Sequence, residues 1–153
     1  MSKLPRSPVV YLAGGMRSNW QDTVISALPG VVFIDPRKSG STAENVYTAY
    51  DLTGVQMCDI VFGYIEADNP CGAGLAVEAG AAAALGKHFI YVEDPGFTHH
   101  RYFGMVRALA DSNYPRLPEG IEALAYLCGF ERQPGHTGYR LKLWAPELRL
   151  PRA

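Results

Sequence analysis

Apolar residues fall along this chain in short blocks separated by clusters of glycine, proline and small polar residues. Residues 9–13 (VVYLA), 31–34 (VVFI), 60–65 (IVFGYI) and 88–92 (HFIYV) are brief runs rich in β-formers, and each reads as a buried strand. The stretches between them read as helices. Residues 19–28 end at Pro29-Gly30. Residues 43–57 follow Ser41 or Thr42 as a cap and carry Glu44 in the first turn. Residues 75–85 are almost all alanine and aliphatic, with Gly86 placed as a C′ glycine. Strand, loop, helix, strand is the βαβ pattern of a parallel sheet.

Beyond Pro95-Gly96, His99, His100 and Arg101 lead into an amphipathic helix reaching about Ala110. Asp111, Ser112, Asn113 and Pro115 read as a loop, and Pro118 and Glu119 start a helix through Cys128. From Glu131 the pattern weakens. Residues 139–144 (YRLKLW) alternate like a strand, and Leu141, Leu143 and Trp144 would suit a segment that covers a partner subunit. The length fits one domain spanning residues 1–153, with 131–153 as its tail.

One charge interrupts the most apolar stretch. Glu78 is the lone charge between Asp68 and Lys87, in the early turns of an alanine-rich helix that follows a buried strand. Ligands of open α/β sheets bind beyond the carboxyl ends of the strands, beside helix N-termini, which also favour an ionised carboxylate. Glu78 therefore reads either as a solvated helix-start residue or as a nucleophile or base held in a partly dry pocket. Its neighbours Ala76, Val77, Ala79 and Ala81 leave little polar face and favour the second reading. Tyr11, near the carboxyl end of the first strand, is either a core aromatic or a phenol reaching into a cleft. The pair Gly14-Gly15 permits close approach of backbone to a ligand. Asp35-Pro36-Arg37 lies at the end of the second strand, Asp51 in a helix, and Asp59 reads as a cap or turn residue.

Composition narrows the class. A hydrophobic content of 48% with 19% charged residues suits a globular protein, and a net charge of −1 argues against non-specific binding to nucleic acid or an acidic membrane. No apolar run has membrane-spanning length. Cys58, Cys71 and Cys128 are odd in number and widely spaced, which fits reduced thiols in a cytoplasmic protein. Neither GxGxxG nor GK[ST] is present, and the adjacent histidines 99 and 100 do not share a helix face as a metal pair would. No metal or organic cofactor is expected.

Four motifs, in order, carry a resemblance: YLAGG at 11–15, DPR at 35–37, YDLTGVQMCDIVF at 50–62 and GLAVEAGAAAALGK at 74–87. The set resembles the nucleoside 2-deoxyribosyltransferase family. That resemblance implies a flavodoxin-like doubly wound parallel sheet flanked by helices, and a homo-oligomer in which a neighbouring subunit completes each site. Its substrates would be 2′-deoxynucleosides and free nucleobases. It implies that Glu78 attacks the anomeric carbon to give a covalent deoxyribosyl-enzyme, which a second base then attacks. Tyr11 would orient Glu78, and Asp51 would contact the nucleobase and help protonate it. Arg37 would lie over the base and Asn113 would reach the sugar hydroxyls of an adjacent subunit. Gly14, Asp68, Asn69 and Gly74 complete the candidate substrate-binding set. Trp20, Tyr47, Phe97, Tyr102 and Phe103 either wall the pocket or pack in the core.

The sequence departs from the family at Gly72, where members carry an aspartate that holds the 5′-hydroxyl; Asp68 or Asn69 could supply that hydrogen bond. Two rival readings stand beside the transferase. A nucleoside 5′-monophosphate N-glycosidase would use Gly14-Gly15-Met16-Arg17-Ser18 near the phosphate, although its serine would also fall at Gly72. A nucleotide-binding module would keep the fold without the chemistry. The aspartates at 35 and 51 fit the transferase better.

Overall fold

The computed structural model describes residues 7–132 and 139–141. Five parallel strands, β1 (Val9–Gly14), β2 (Val32–Ile34), β3 (Ile60–Ile65), β4 (His88–Glu93) and β5 (Ser112–Tyr114), form a sheet in the order β2-β1-β3-β4-β5. This is the flavodoxin-like doubly wound order, and its direction reverses beside β1 and β3, where such sheets open a ligand cleft at the strands' carboxyl ends. β3 is buried along its whole length, as expected of a central strand covered on both faces.

Alternation along the strands divides the core in two. Val10 and Leu12 face α1 (Trp20–Ala27) and α5 (Leu117–Leu127), joined by Phe62, Ile90, Val24 and Leu124. Tyr11 and Ala13 face α2 (Glu44–Met57), α3 (Ala73–Ala84) and α4 (Gly104–Leu109), with Val55, Leu75, Ala79, Phe97, Phe103 and Val106. Each such aliphatic or aromatic side chain contributes about 1.5–3 kcal/mol by leaving water. At the amino end, Asp59 joins β1 to β3: its Oδ2 accepts from the Val9 N–H at 2.8 Å, and its own N–H donates to the Val9 carbonyl at 2.8 Å. Among the described residues no helix is long and apolar enough to cross a membrane.

Several expectations are corrected. α2 begins after Ala43 with no side-chain cap; Ser41 Oγ accepts from the Ala43 N–H instead, so neither Ser41 nor Thr42 caps the helix. The helix expected up to Ala110 shortens to α4, preceded by a 3-10 turn over His100–Tyr102. The supposed loop at 111–113 is largely β5, a short polar edge strand. A second sheet pairs β6 (Phe130–Arg132) with β7 (Tyr139–Leu141) in antiparallel register. The rest of the strand expected at 139–144 lies outside the described residues.

Candidate active site

Tyr11, Asp51 and Glu78 come together on the α2–α3 side of the sheet. Tyr11 stands mid-strand in β1 rather than near its end, fully buried, and its ring projects under α2. Gly54 lets the helix settle there: a Cβ at 54 would lie 2.7 Å from Tyr11 Cδ2. Asp51, one turn before Gly54 on the same helix face, is thereby carried to the phenol. On α3, Leu75, Glu78, Ala79 and Ala82 form the buried stripe, so the helix turns its single carboxylate inward.

The Tyr11 hydroxyl donates to Glu78 Oε1 at 3.1 Å. It also hydrogen-bonds the Asp51 carboxyl, which offsets part of the rise that burial imposes on Asp51. Glu78 is 8% exposed. Among the described residues, three buried side-chain polar atoms lack a hydrogen-bond partner within the chain: Gln21 Oε1, Asp51 Oδ1 and Glu78 Oε2. Two of the three belong to this pair. Unpartnered buried oxygens are costly, and each of these two is free to accept from a group outside the chain.

The electrostatics overturn one expectation. Glu78 is the sixth residue of α3, beyond the first turn over which a helix N-terminus acts, and it is not held ionised. Burial, and then the nearby charge of Asp51, push its pKa up to about 8, against the opposing hydrogen bond from Tyr11. Asp51 is also raised, by burial. Tyr11 is driven far upward by burial and by both carboxylates, so it stays a neutral donor. In the free protein at neutral pH the protonated form of Glu78 is then favoured. The two carboxyls are coupled, since the charge of Asp51 disfavours ionisation of Glu78.

The other residues singled out in the sequence fall elsewhere. Arg37 is held by its neighbours: Nε lies 3.0 Å from both Asp35 oxygens, and Nη2 donates to Asp35 Oδ2 at 2.6 Å and Asp22 Oδ1 at 2.7 Å. Asp68 pairs with Arg17 at 3.5 Å in an exposed bridge. Gly74 opens α3 with free space around it. Asn113 lies on β5, two strands from β3, and its Nδ2 donates to the Arg107 carbonyl at 3.0 Å. Trp20 packs on the opposite face of the sheet, Phe97 and Phe103 in the core beside Tyr11, while Tyr102 is exposed.

Both glycines after β1 sit close against the protein itself, Gly14 against backbone and Gly15 against a side chain. Gly14 has a φ of +138°, and a Cβ there would lie 1.9 Å from the Tyr64 carbonyl oxygen. A Cβ at Gly15 would lie 1.7 Å from Glu66 Oε2. Gly72, the position of departure from the family pattern, has a φ of +79°, and a Cβ would meet Ile65 Cδ1 at 2.4 Å and Phe103 Cζ at 2.8 Å. An aspartate or serine here would be strained by the positive φ and would have to displace the ends of the Ile65 and Phe103 side chains, which fill the space. Residues missed in the sequence are Glu66, the partner of Ser18 and Asn69, and Tyr64, whose hydroxyl donates to Asp94 Oδ2 at 2.5 Å. A charge directly after a buried strand was the available signal for Glu66.

Fold and site thus define a doubly wound α/β protein with a buried, tyrosine-bound glutamate on the side of the sheet where α2 and α3 pack. Among solved structures, the chain is similar to the CMP N-glycosidase BcmB of Clostridium botulinum, with a TM-score of 0.52 and 18% identity over 77% of this chain and 98% of that one. At that identity the likeness is one of fold. No protein-family model and no curated protein sequence matches the chain.

Proposed function

We propose that this protein is a nucleoside 2′-deoxyribosyltransferase that exchanges nucleobases through a deoxyribosyl-Glu78 intermediate. The observation that carries the reading is Glu78 itself: buried, oriented through Oε1 by Tyr11, with Oε2 unpartnered and the raised carboxyl of Asp51 beside it. In the first step Glu78 Oε2 bonds to the anomeric carbon as the bond from that carbon to the base nitrogen breaks. The leaving base takes its proton from Asp51. In the second step an incoming base attacks the same carbon, the glutamyl ester breaks, and the acceptor's proton returns to Asp51. Tyr11, a neutral donor, keeps the carboxylate in line without competing as a base.

A second reading, hydrolysis of a nucleoside monophosphate, is favoured by the fold likeness to a CMP N-glycosidase and by Arg17 in the loop after β1. There water replaces the acceptor base in the second step, and the first step is unchanged. Incubation with deoxyinosine and free adenine separates the two: deoxyadenosine and hypoxanthine in equal amounts support exchange. Hypoxanthine with free deoxyribose, or base release from a monophosphate alone, would move the assignment to a hydrolase. A nucleotide-binding module would bind a nucleotide and turn over none, and Glu78→Ala would leave its affinity in place. An oligomer whose neighbouring subunit supplies Asn113 belongs to the same proposal, as does a cytoplasmic setting, and sedimentation of the purified protein tests the former.

A further inference from the structure

Glu66 takes no part in that chemistry, yet it is 6% exposed at the carboxyl end of β3 and joins two loops that leave neighbouring strands. Its Oε1 accepts from the Ser18 N–H at 3.2 Å and the Ser18 hydroxyl at 2.9 Å, in the loop that follows β1. Its Oε2 accepts from Asn69 Nδ2 at 3.2 Å, in the loop that leads to α3 and Glu78. Asn69 is itself fixed: its N–H donates to the Glu66 carbonyl at 3.0 Å, and its Oδ1 accepts from the Cys71 N–H at 3.1 Å. Gly15 fits against this carboxyl group, where a Cβ would lie 1.7 Å from Glu66 Oε2 and 2.7 Å from Asn69 Nδ2. The requirement at 15 is one of space, since its φ is ordinary. Outside, Arg17 and Asp68 bridge the same loops, but an exposed pair of this kind contributes little.

The location gives the clasp a purpose. β1 and β3 flank the reversal of strand order, so a ligand whose anomeric carbon meets Glu78 lies against these two loops. A buried carboxylate is costly unless its oxygens are satisfied, and here both are satisfied by the loops rather than by the sheet. We propose that Glu66 is a positioning residue that locks residues 14–18 and 66–71 into a single wall of the substrate cleft, with Gly15 as the matched half of the lock. The link to substrate rests on the nucleoside-processing reading of Glu78. The lock itself is readable without turnover.

Hydrogen exchange, followed by mass spectrometry, tests it in Glu66→Ala, Gly15→Ala, the double variant and Asn69→Ala. Either single substitution at 66 or 15 is expected to raise exchange in both loops together. The double variant should exchange no faster than Glu66→Ala, because once the carboxylate is gone the added Cβ at 15 meets only the end of the Asn69 side chain, which has already lost its Glu66 partner. Asn69→Ala should loosen 14–18 across the gap while β1 and β3 stay protected. Exchange that rises only in the substituted loop, or effects that add, would overturn the lock. Should Glu66→Ala unfold the sheet, Asn69→Ala and Gly15→Ala carry the test. With a substrate that the wild type turns over, Gly15→Ala should raise KM by about tenfold with kcat within about twofold. A lowered kcat at constant KM would contradict a positioning role. A wild type that turns over no nucleoside would remove the functional reading and leave the exchange result to stand or fall on its own.

Discussion

The hydroxyl of Tyr11, on β1, donates to Oε1 of Glu78, on α3, across 3.1 Å in the core of the protein. This bond favours the ionised carboxylate and opposes both burial and the charge of Asp51, which raise the pKa of Glu78 to about 8. Its loss in Tyr11→Phe leaves the raising influences unopposed. The acidic limb of the kcat/KM profile should move to higher pH, and activity at pH 7 should fall by about ten- to a hundredfold. A full pH profile of both proteins checks this; an unmoved limb would separate Tyr11 from the ionisation of Glu78.

Asp51→Asn should move the same limb the other way. Removing the Asp51 charge removes one cause of the raised Glu78 pKa, so ionisation begins at lower pH. The rate should nevertheless drop, because the departing base loses its proton donor. A purine nucleoside alkylated to carry a cationic base needs no such proton and should recover most of the rate. The comparison of neutral and cationic donors separates the two roles of Asp51.

Stability should carry the signature of the same group. The folded pKa of Glu78 lies above its ordinary value of 4.5, so between about pH 4.5 and 8 the folded state holds a proton that the unfolded chain has released. Stability from this source is complete below that window and is lost as pH rises through it. Glu78→Gln removes the ionisation. Its advantage over the wild type should therefore grow from pH 5 to pH 8, reaching a few kcal/mol. Urea unfolding at the two pH values measures it, and a shrinking gap would contradict burial as the dominant cause.

Much of the sheet was legible because its strands are short apolar blocks bounded by breakers, a pattern that burial on both faces imposes. β5 was not, because Ser112, Asn113 and Tyr114 pair on one side only and carry no apolar alternation. Glu78 stood out as a charge inside an alanine-rich helix. Its protonation did not, since that depends on Asp51 and on depth, both set by tertiary packing. Gly54 carried no signal of its own in the sequence, and in the fold it is the notch that admits the Tyr11 ring. Glu66 was illegible for the same reason: its partners, Ser18 and Asn69, are brought to it by two separate loops.

The central claim is that Glu78 bonds covalently to the sugar. The most direct measurement is rapid acid quenching of the protein with a 2′-deoxynucleoside donor and no acceptor base, followed by intact-mass and peptide mass spectrometry. The account predicts one added deoxyribosyl group, located on the peptide containing Glu78, chased away by free adenine and absent in Glu78→Ala. Turnover of the donor by Glu78→Ala, or an adduct on any other residue, would contradict it.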